Sequence, residues 1–180
     1  MKFKDTKYGD LTGQTYKGNI NVSEMGLTSL EGAPKEVKGR FYCYKNQLTT
    51  LKYAPKKISG SFDCCENKLK SLEYSPKEVG GSFYCYKNNL TSLKGAPEEV
   101  ANHFYCYRNQ LTSLEGSPEI VNGNFYCNNN QLTTLKGGPR IVFGDFNCSY
   151  NKLTSLEYAP EEVERDFNCF NNKLTSLKGW

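Results

Sequence analysis

The chain has one histidine, His103, one tryptophan, Trp180, and two methionines in 180 residues. With a single imidazole, no Gly-x-Ser-x-Gly turn, no phosphate-cradling glycine loop and no spaced set of ligands, acid–base, nucleophilic and metal chemistry all lack their parts. We therefore expect no catalytic residue, no cofactor and no metal site. Paired acids such as Glu98 with Glu99, or Glu161 with Glu162, recur just after a proline, where solvated charge is the simpler reading than a hydrolase pair. A long apolar run is also missing, so neither a membrane span nor a secretory segment is expected, and Met1-Lys-Phe-Lys opens a polar stretch. These absences predict a cytoplasmic protein. The net charge is +4 without any block of like charge, which excludes neither protein nor nucleic-acid partners.

What the sequence does contain is one motif, repeated. Cys43, Cys64, Cys85, Cys106, Cys127, Cys148 and Cys169 lie 21 residues apart, and an asparagine keeps step three positions later, from Asn46 to Asn172. A phenylalanine stands two residues before each of these cysteines, from Phe41 to Phe167. Two leucines follow each asparagine, beginning with Leu48 and Leu51, and all seven prolines share one further column. A period of this size marks a solenoid, whose unit cannot bury its apolar side alone and must stack on its neighbours. Phe and Cys should alternate inward along a short strand, with polar and aromatic residues between them facing out. The asparagine should close that strand by bonding backbone groups the turn leaves unpaired. The leucine pair and a Val/Ile column (Val37, Ile58, Val79, Val100, Val121, Val142, Val163) should close the core from the returning side. Proline forbids helix there, which predicts extended or 3₁₀ backbone.

Residues 1–19 carry no repeat. With Phe3, Tyr8, Leu11 and Tyr16 as anchors, they are expected to form an N-terminal cap. Residues 20–180 then make about eight turns, the first a degenerate copy with Ile20, Val22 and Met25 in the Phe, Cys and Asn columns. The last turn is covered by Trp180 or by a partner. Equivalent side chains on adjacent parallel strands sit about 4.8 Å apart, beyond the usual span of a disulfide, so the cysteine column reads as buried small hydrophobes. Cys65 falls outside that column and is expected to face solvent as the most reactive thiol. The residue after the second leucine alternates strictly: Glu31, Lys52, Glu73, Lys94, Glu115, Lys136, Glu157, Lys178. Stacking should place each Lys between two Glu and so select register. The complementary ends, Glu31 and Lys178, raise the prospect of end-to-end self-association, which the cap opposes.

The order Phe-x-Cys-x-x-Asn-x-Leu-x-x-Leu resembles the leucine-rich repeat, with Phe and Cys in the strand columns, over roughly residues 20 to 180. Its proline upstream and Asn-x-Leu-Thr-x-Leu downstream are most similar to the short repeats of bacterial effector proteins. The resemblance implies a curved right-handed solenoid with a parallel β-sheet on its concave face and extended or 3₁₀ segments on its convex face. It also implies a role in interference between a pathogen or phage and its host, in the cytoplasm of a bacterium or of an infected cell.

The outward positions of the strands point to function. Before each cysteine stand Tyr42, Asp63, Tyr84, Tyr105, Tyr126, Asn147 and Asn168; after it, Tyr44, Cys65, Tyr86, Tyr107, Asn128, Ser149 and Phe170. Lys87, Arg108 and His103 edge the tyrosines. Tyrosine supplies rigid contact area with a polar tip, and tyrosine with arginine is the composition of binding hot spots. This predicts a non-enzymatic interaction module that holds a protein partner on Tyr42, Tyr44, Tyr84, Tyr86, Lys87, His103, Tyr105, Tyr107, Arg108 and Tyr126. A single-stranded nucleic acid stacked on the same tyrosines is the alternative. Self-stacking for sheet stability alone accounts for the pattern too. The threonine rows, as a surface for ice or carbohydrate, are the remotest reading.

Overall fold

The computed structural model describes residues 1–176. Each 21-residue unit contributes two short strands. The first set, from Ile20–Asn21 to Phe167–Asn168, forms one eight-stranded parallel sheet in turn order. Its register places like on like: Phe41 opposite Phe62, Phe83 opposite Phe104, Tyr105 opposite Tyr126. Eight strands are separated by seven steps, and the result is a parallel β-solenoid with almost no helix.

The return leg is extended and makes a second ladder. Thr15–Lys17, Glu36–Lys38, Lys57–Ile58, Glu78–Val79 and Glu99–Val100 form a five-stranded parallel sheet; Ile120–Val121, Ile141–Val142 and Glu162–Val163 form a three-stranded one. Of the two backbones the prolines allow, the extended one is adopted. Among the described residues the one 3₁₀ segment is Phe3–Asp5, in the cap.

Between the two ladders lies the core. Phe41 to Phe146, both leucines of each interior turn and the cysteines from Cys43 to Cys148 are buried, and the Val/Ile column closes the opposite side. The phenylalanine rings stack along the axis with centroids 5.2 to 5.9 Å apart, each pair adding about 0.5–1.5 kcal/mol beyond the area it buries. Phe3 of the cap continues this stack, 6.1 Å from Phe41, and Tyr8, Leu11 and Tyr16 pack against the same core. The cysteines are free thiols; two of them, Cys64 and Cys127, donate to the carbonyl of the next turn at 3.4 Å.

The asparagine column holds successive turns in register. The residue before each asparagine lies in the left-handed region, with φ between 50° and 59° from Glu24 to Asn171, so the strand ends in a sharp bend that strips carbonyls of their ladder partners. Such groups must find others when buried. Asn109 shows how: its Nδ2 donates to Cys106 O of its own turn at 3.0 Å and to Cys85 O of the turn before at 3.1 Å. Its Oδ1 accepts the N–H groups of Asn88 and Leu90 at 3.2 and 3.1 Å. Asn46, Asn67, Asn88, Asn130, Asn151 and Asn172 likewise bridge two cysteine-column carbonyls in neighbouring turns, Val22 standing in that column for Asn46.

The alternating Glu/Lys column behaves differently from expectation. Among the described residues its single internal ion pair is Lys94 with Glu115, at 4.0 Å. Exposed charges on long side chains gain too little from pairing to fix their geometry. Glu31 is instead held by Lys2 and Lys4, at 2.8 and 2.7 Å. Lys178 and Trp180 lie outside the described residues.

The second ladder is interrupted between Glu99–Val100 and Ile120–Val121. Elsewhere its turns are tied by bonds such as Gly80 N–H to Ile58 O at 2.9 Å and Phe143 N–H to Val121 O at 2.9 Å. The equivalents here, Glu119 N–H to Glu98 O and Asn122 N–H to Val100 O, are missing, and the bond just before them, Ala101 N–H to Val79 O, is stretched to 3.3 Å. The corner joining the two strands of a turn is glycine at 39, 60, 81, 123 and 144, asparagine at 102 and arginine at 165. A Cβ at Gly81 would lie 2.7 Å from Ser61 N and 2.8 Å from Gly60 C, yet the ladder continues at the turn of Arg165, where Val142 faces Val163, and Val100 still faces Val79.

Removing one amide from the asparagine column leaves several buried backbone groups unpaired. Asn109→Ala should therefore lose roughly 2–4 kcal/mol of unfolding free energy, whereas Gln110→Ala, at the exposed neighbouring position, should stay within about 0.5 kcal/mol. Urea denaturation followed by circular dichroism measures both; equal midpoints would contradict the role given to the amide.

Candidate functional site: the tyrosine face

The outward side of the eight-stranded sheet carries two rows of side chains, one on each side of the cysteine column. Because strands pair in register, residues one repeat apart stack. Tyr86 and Tyr107 lie 4.5 Å apart and Tyr105 and Tyr126 4.7 Å apart, both pairs within 7° of parallel. Tyr84 meets Tyr105 at 5.3 Å, and Tyr105 meets Tyr107 across the rows at 6.2 Å. The structure thus brings Tyr84, Tyr86, Tyr105, Tyr107 and Tyr126 into one half-buried cluster. Tyr42 and Tyr44 form a separate pair at 6.5 Å, cut off from it by the turn of Asp63 and Cys65.

Short residues end the tyrosine row on both sides for one reason. Asp63 Oδ1 accepts the N–H of Cys65 at 3.0 Å, as Asn147 does from Ser149 and Asn168 from Phe170. A side chain that folds back onto its own backbone two residues on cannot project as a platform. At the C-terminal side Tyr126 is anchored, its hydroxyl donating to Asp145 at 3.0 Å and accepting from Asn124 at 3.1 Å.

Cys65 does not face solvent as a reactive thiol. It is 2% exposed, because a small residue between Tyr44 and Tyr86 in a stacked column is covered by its larger neighbours. Burial, then the charge of Asp63 beside it, pushes its pKa far above the ordinary thiol value, away from the thiolate that reacts. Burial likewise raises the Asp63 carboxyl and the Tyr86, Tyr105, Tyr107 and Tyr126 hydroxyls. The tyrosines therefore act as neutral hydrogen-bonding groups.

Charge sits on the rim, in the left-handed column. Lys45 pairs with Glu24 at 3.1 Å and Lys87 with Glu66 at 3.2 Å. Arg108, exposed and beside Tyr107, has no carboxylate partner among the described residues. His103 has a second task. Its ring stacks on Tyr105 at 5.5 Å, and its Nδ1 accepts the N–H of Asn124 at 2.9 Å, which leaves the proton of the neutral ring on Nε2.

That bond belongs to a ladder that the sequence reading missed. Asn19 accepts from Arg40 N–H, Ser61 from Ser82, Ser82 from His103, Asn124 from Asp145 and Asp145 from Asp166, at 2.8 to 3.4 Å. The available signal was compositional: apart from Arg40, each residue just before the phenylalanine column bears an acceptor.

Among the described residues no three His, Cys, Asp or Glu are grouped to hold a metal, and no helix is long and apolar enough to cross a membrane. Compared with known proteins, the chain matches no family model, no curated protein and no solved structure. What stands is a parallel-strand solenoid with a 21-residue period, and the leucine-rich-repeat likeness rests on the motif alone.

Two outcomes follow from these environments. Cys43, Cys64, Cys65, Cys85, Cys106, Cys127 and Cys148 all have pKa values raised by burial. In the unfolded chain they release protons near pH 8.5, while the folded chain retains them, so the stability they support is complete below that pH and falls above it. The slope approaches roughly 1.4 kcal/mol per pH unit for each thiol. Urea midpoints should drop steeply from pH 8.5 to 10.5; a slope equal to that of one thiol would contradict their shared burial. For the acceptor ladder, His103→Leu should be about 1 kcal/mol less stable than His103→Asn, since both lose the Tyr105 stack and only asparagine keeps an acceptor. Thermal melts of the two variants measure the difference.

Proposed function

We propose that this solenoid is a non-enzymatic binding module that captures a protein partner on its tyrosine face, with Tyr84, Tyr86, Tyr105, Tyr107 and Arg108 as the central anchors. The observation that carries the reading is the continuous cluster of five half-buried tyrosines beside an arginine with no internal carboxylate partner. Stacked rings are already fixed before binding, so a partner meets contact area that loses little further rotamer freedom. Tyrosine edges and hydroxyls supply polar contacts, and Arg108 offers a charge to an acidic group.

Single-stranded nucleic acid is less well supported. A base needs an open ring face, whereas the faces of Tyr86 and Tyr107, and of Tyr105 and Tyr126, cover one another at 4.5 and 4.7 Å. Lys87 is engaged by Glu66, and Asp145 stands at the end of the row. On its effector-like repeat, the proposal extends to interference between a pathogen or phage and its host, inside the cytoplasm.

The test is affinity capture from a nuclease-treated native lysate with three baits: wild type, Arg108→Glu, and the variant with Tyr84, Tyr86, Tyr105 and Tyr107 changed to Ala. The second bait leaves the ring stack intact and so separates lost binding from lost stability. We expect a protein retained by wild type and by neither variant. Equal capture by all three would remove the site assignment, and tight oligonucleotide binding that weakens steeply with salt would replace the partner class.

A further inference from the structure

A groove crosses the interruption in the second ladder, on the side of the solenoid away from the tyrosines. It is a cleft of about 810 Å³ whose walls include Glu78, Glu98, Glu99 and Glu119, with Ile120 and Phe143 among its apolar surface. A smaller hollow of about 470 Å³ shares Glu98 and Glu119 and continues the groove around the proline corner, where Lys77 and Lys94 mark its far end. The main cleft is lined by five turns, from Lys57 to Phe143, and so runs across the seam at the interruption.

Three features set this place apart. The chain carries a net +4, yet the main cleft has four glutamates against Lys57 alone. Lys57 holds Glu78 and Arg140 holds Glu119, leaving Glu98 and Glu99 without ion pairs among the described residues. Ile120 and Phe143 are 42% and 38% exposed, large apolar side chains in columns where other turns place Glu78, Glu99 and Glu162, or Ser59 and Ala101. The carbonyl of Val100 has lost the N–H partner that the repeat supplies elsewhere, and that of Glu98, like that of Lys77, has no backbone partner from the following turn.

Unpaired carbonyls and unpaired carboxylates beside apolar surface select a ligand that brings N–H donors, positive charge and aliphatic area together. We infer that the seam is a second docking groove, which takes an extended, arginine- or lysine-bearing segment of a partner protein. Its cationic heads meet Glu98, Glu99 and the freed carbonyls, and its aliphatic stems lie on Ile120 and Phe143. The occupant differs in charge from the acidic group that Arg108 would attract, so the two faces recognise different segments.

The test uses fluorescence anisotropy of a short labelled peptide of alternating arginine and valine, with the same peptide carrying glutamate for arginine as control. Wild type is compared with Glu98→Gln/Glu99→Gln, with Ile120→Ser/Phe143→Ser and with the four-tyrosine variant. Both sets of seam substitutions are on exposed side chains and leave the core untouched. We expect the arginine peptide to bind wild type and the tyrosine variant alike, and to lose roughly tenfold in affinity with either seam variant. Absence of binding at low salt, equal binding of the glutamate peptide, or affinity unchanged in both seam variants would overturn the proposal. So would a wild-type oligomer that the seam variants disperse, which would give the groove to a second copy of the chain.

Discussion

Everything in this molecule depends on one side-chain amide per turn. The chain must reverse after a strand of only two residues, and it does so through a left-handed position occupied by Glu, Lys, Arg, Asn or Tyr rather than glycine. Such a bend is unfavourable for a residue with a Cβ and leaves carbonyls pointing into the core. The asparagine that follows relieves the second difficulty and offsets the first: its two N–H groups and one oxygen join three or more backbone groups from adjacent turns. An aspartate or serine offers part of that set, and a leucine none of it. Asparagine is therefore held in step with cysteine through seven repeats, while the strand positions facing solvent change.

This division explains what could be read from the sequence. Columns whose residues answer to a repeating geometry were legible: Phe, Cys, Asn, the leucines and the Val/Ile column each sit where the period placed them, and Phe3, Tyr8, Leu11 and Tyr16 pack against the same core. Legibility failed where the outcome depended on a neighbour's size. Cys65 is outward by column, yet the tyrosine after it in the stack covers it. The Glu/Lys alternation is perfect in sequence, yet its charges are solvated, and Glu31 goes to the cap. The acceptor ladder through His103 was hidden because Asn, Ser, His and Asp look unrelated until their shared lone pair is considered.

The tyrosine cluster was half legible. The columns identified the residues, and stacking in register made them one surface. What no column showed was that Asp63 and Cys65 split the row, so that Tyr42 and Tyr44 stand apart from the central five. Nor did it show that the rings cover one another's faces, the detail that weighs against nucleic acid. His103 joins the cluster through its stack on Tyr105 while serving the backbone through Nδ1, so its contributions to shape and to stability cannot be separated by simple deletion.

In an array whose units touch only their neighbours, cooperativity passes through each junction in turn. Most junctions here are held twice, by the phenylalanine sheet and by the valine sheet. The junction after Asn102 keeps the first and loses the second. The chain is thus two blocks, of unequal length, coupled more weakly than the turns within either. Thermal agitation or mechanical pull will find that boundary first, and the solenoid will come apart there as a pair of folded segments before either unwinds. One missing stretch of the valine ladder thereby sets the size of the cooperative unit.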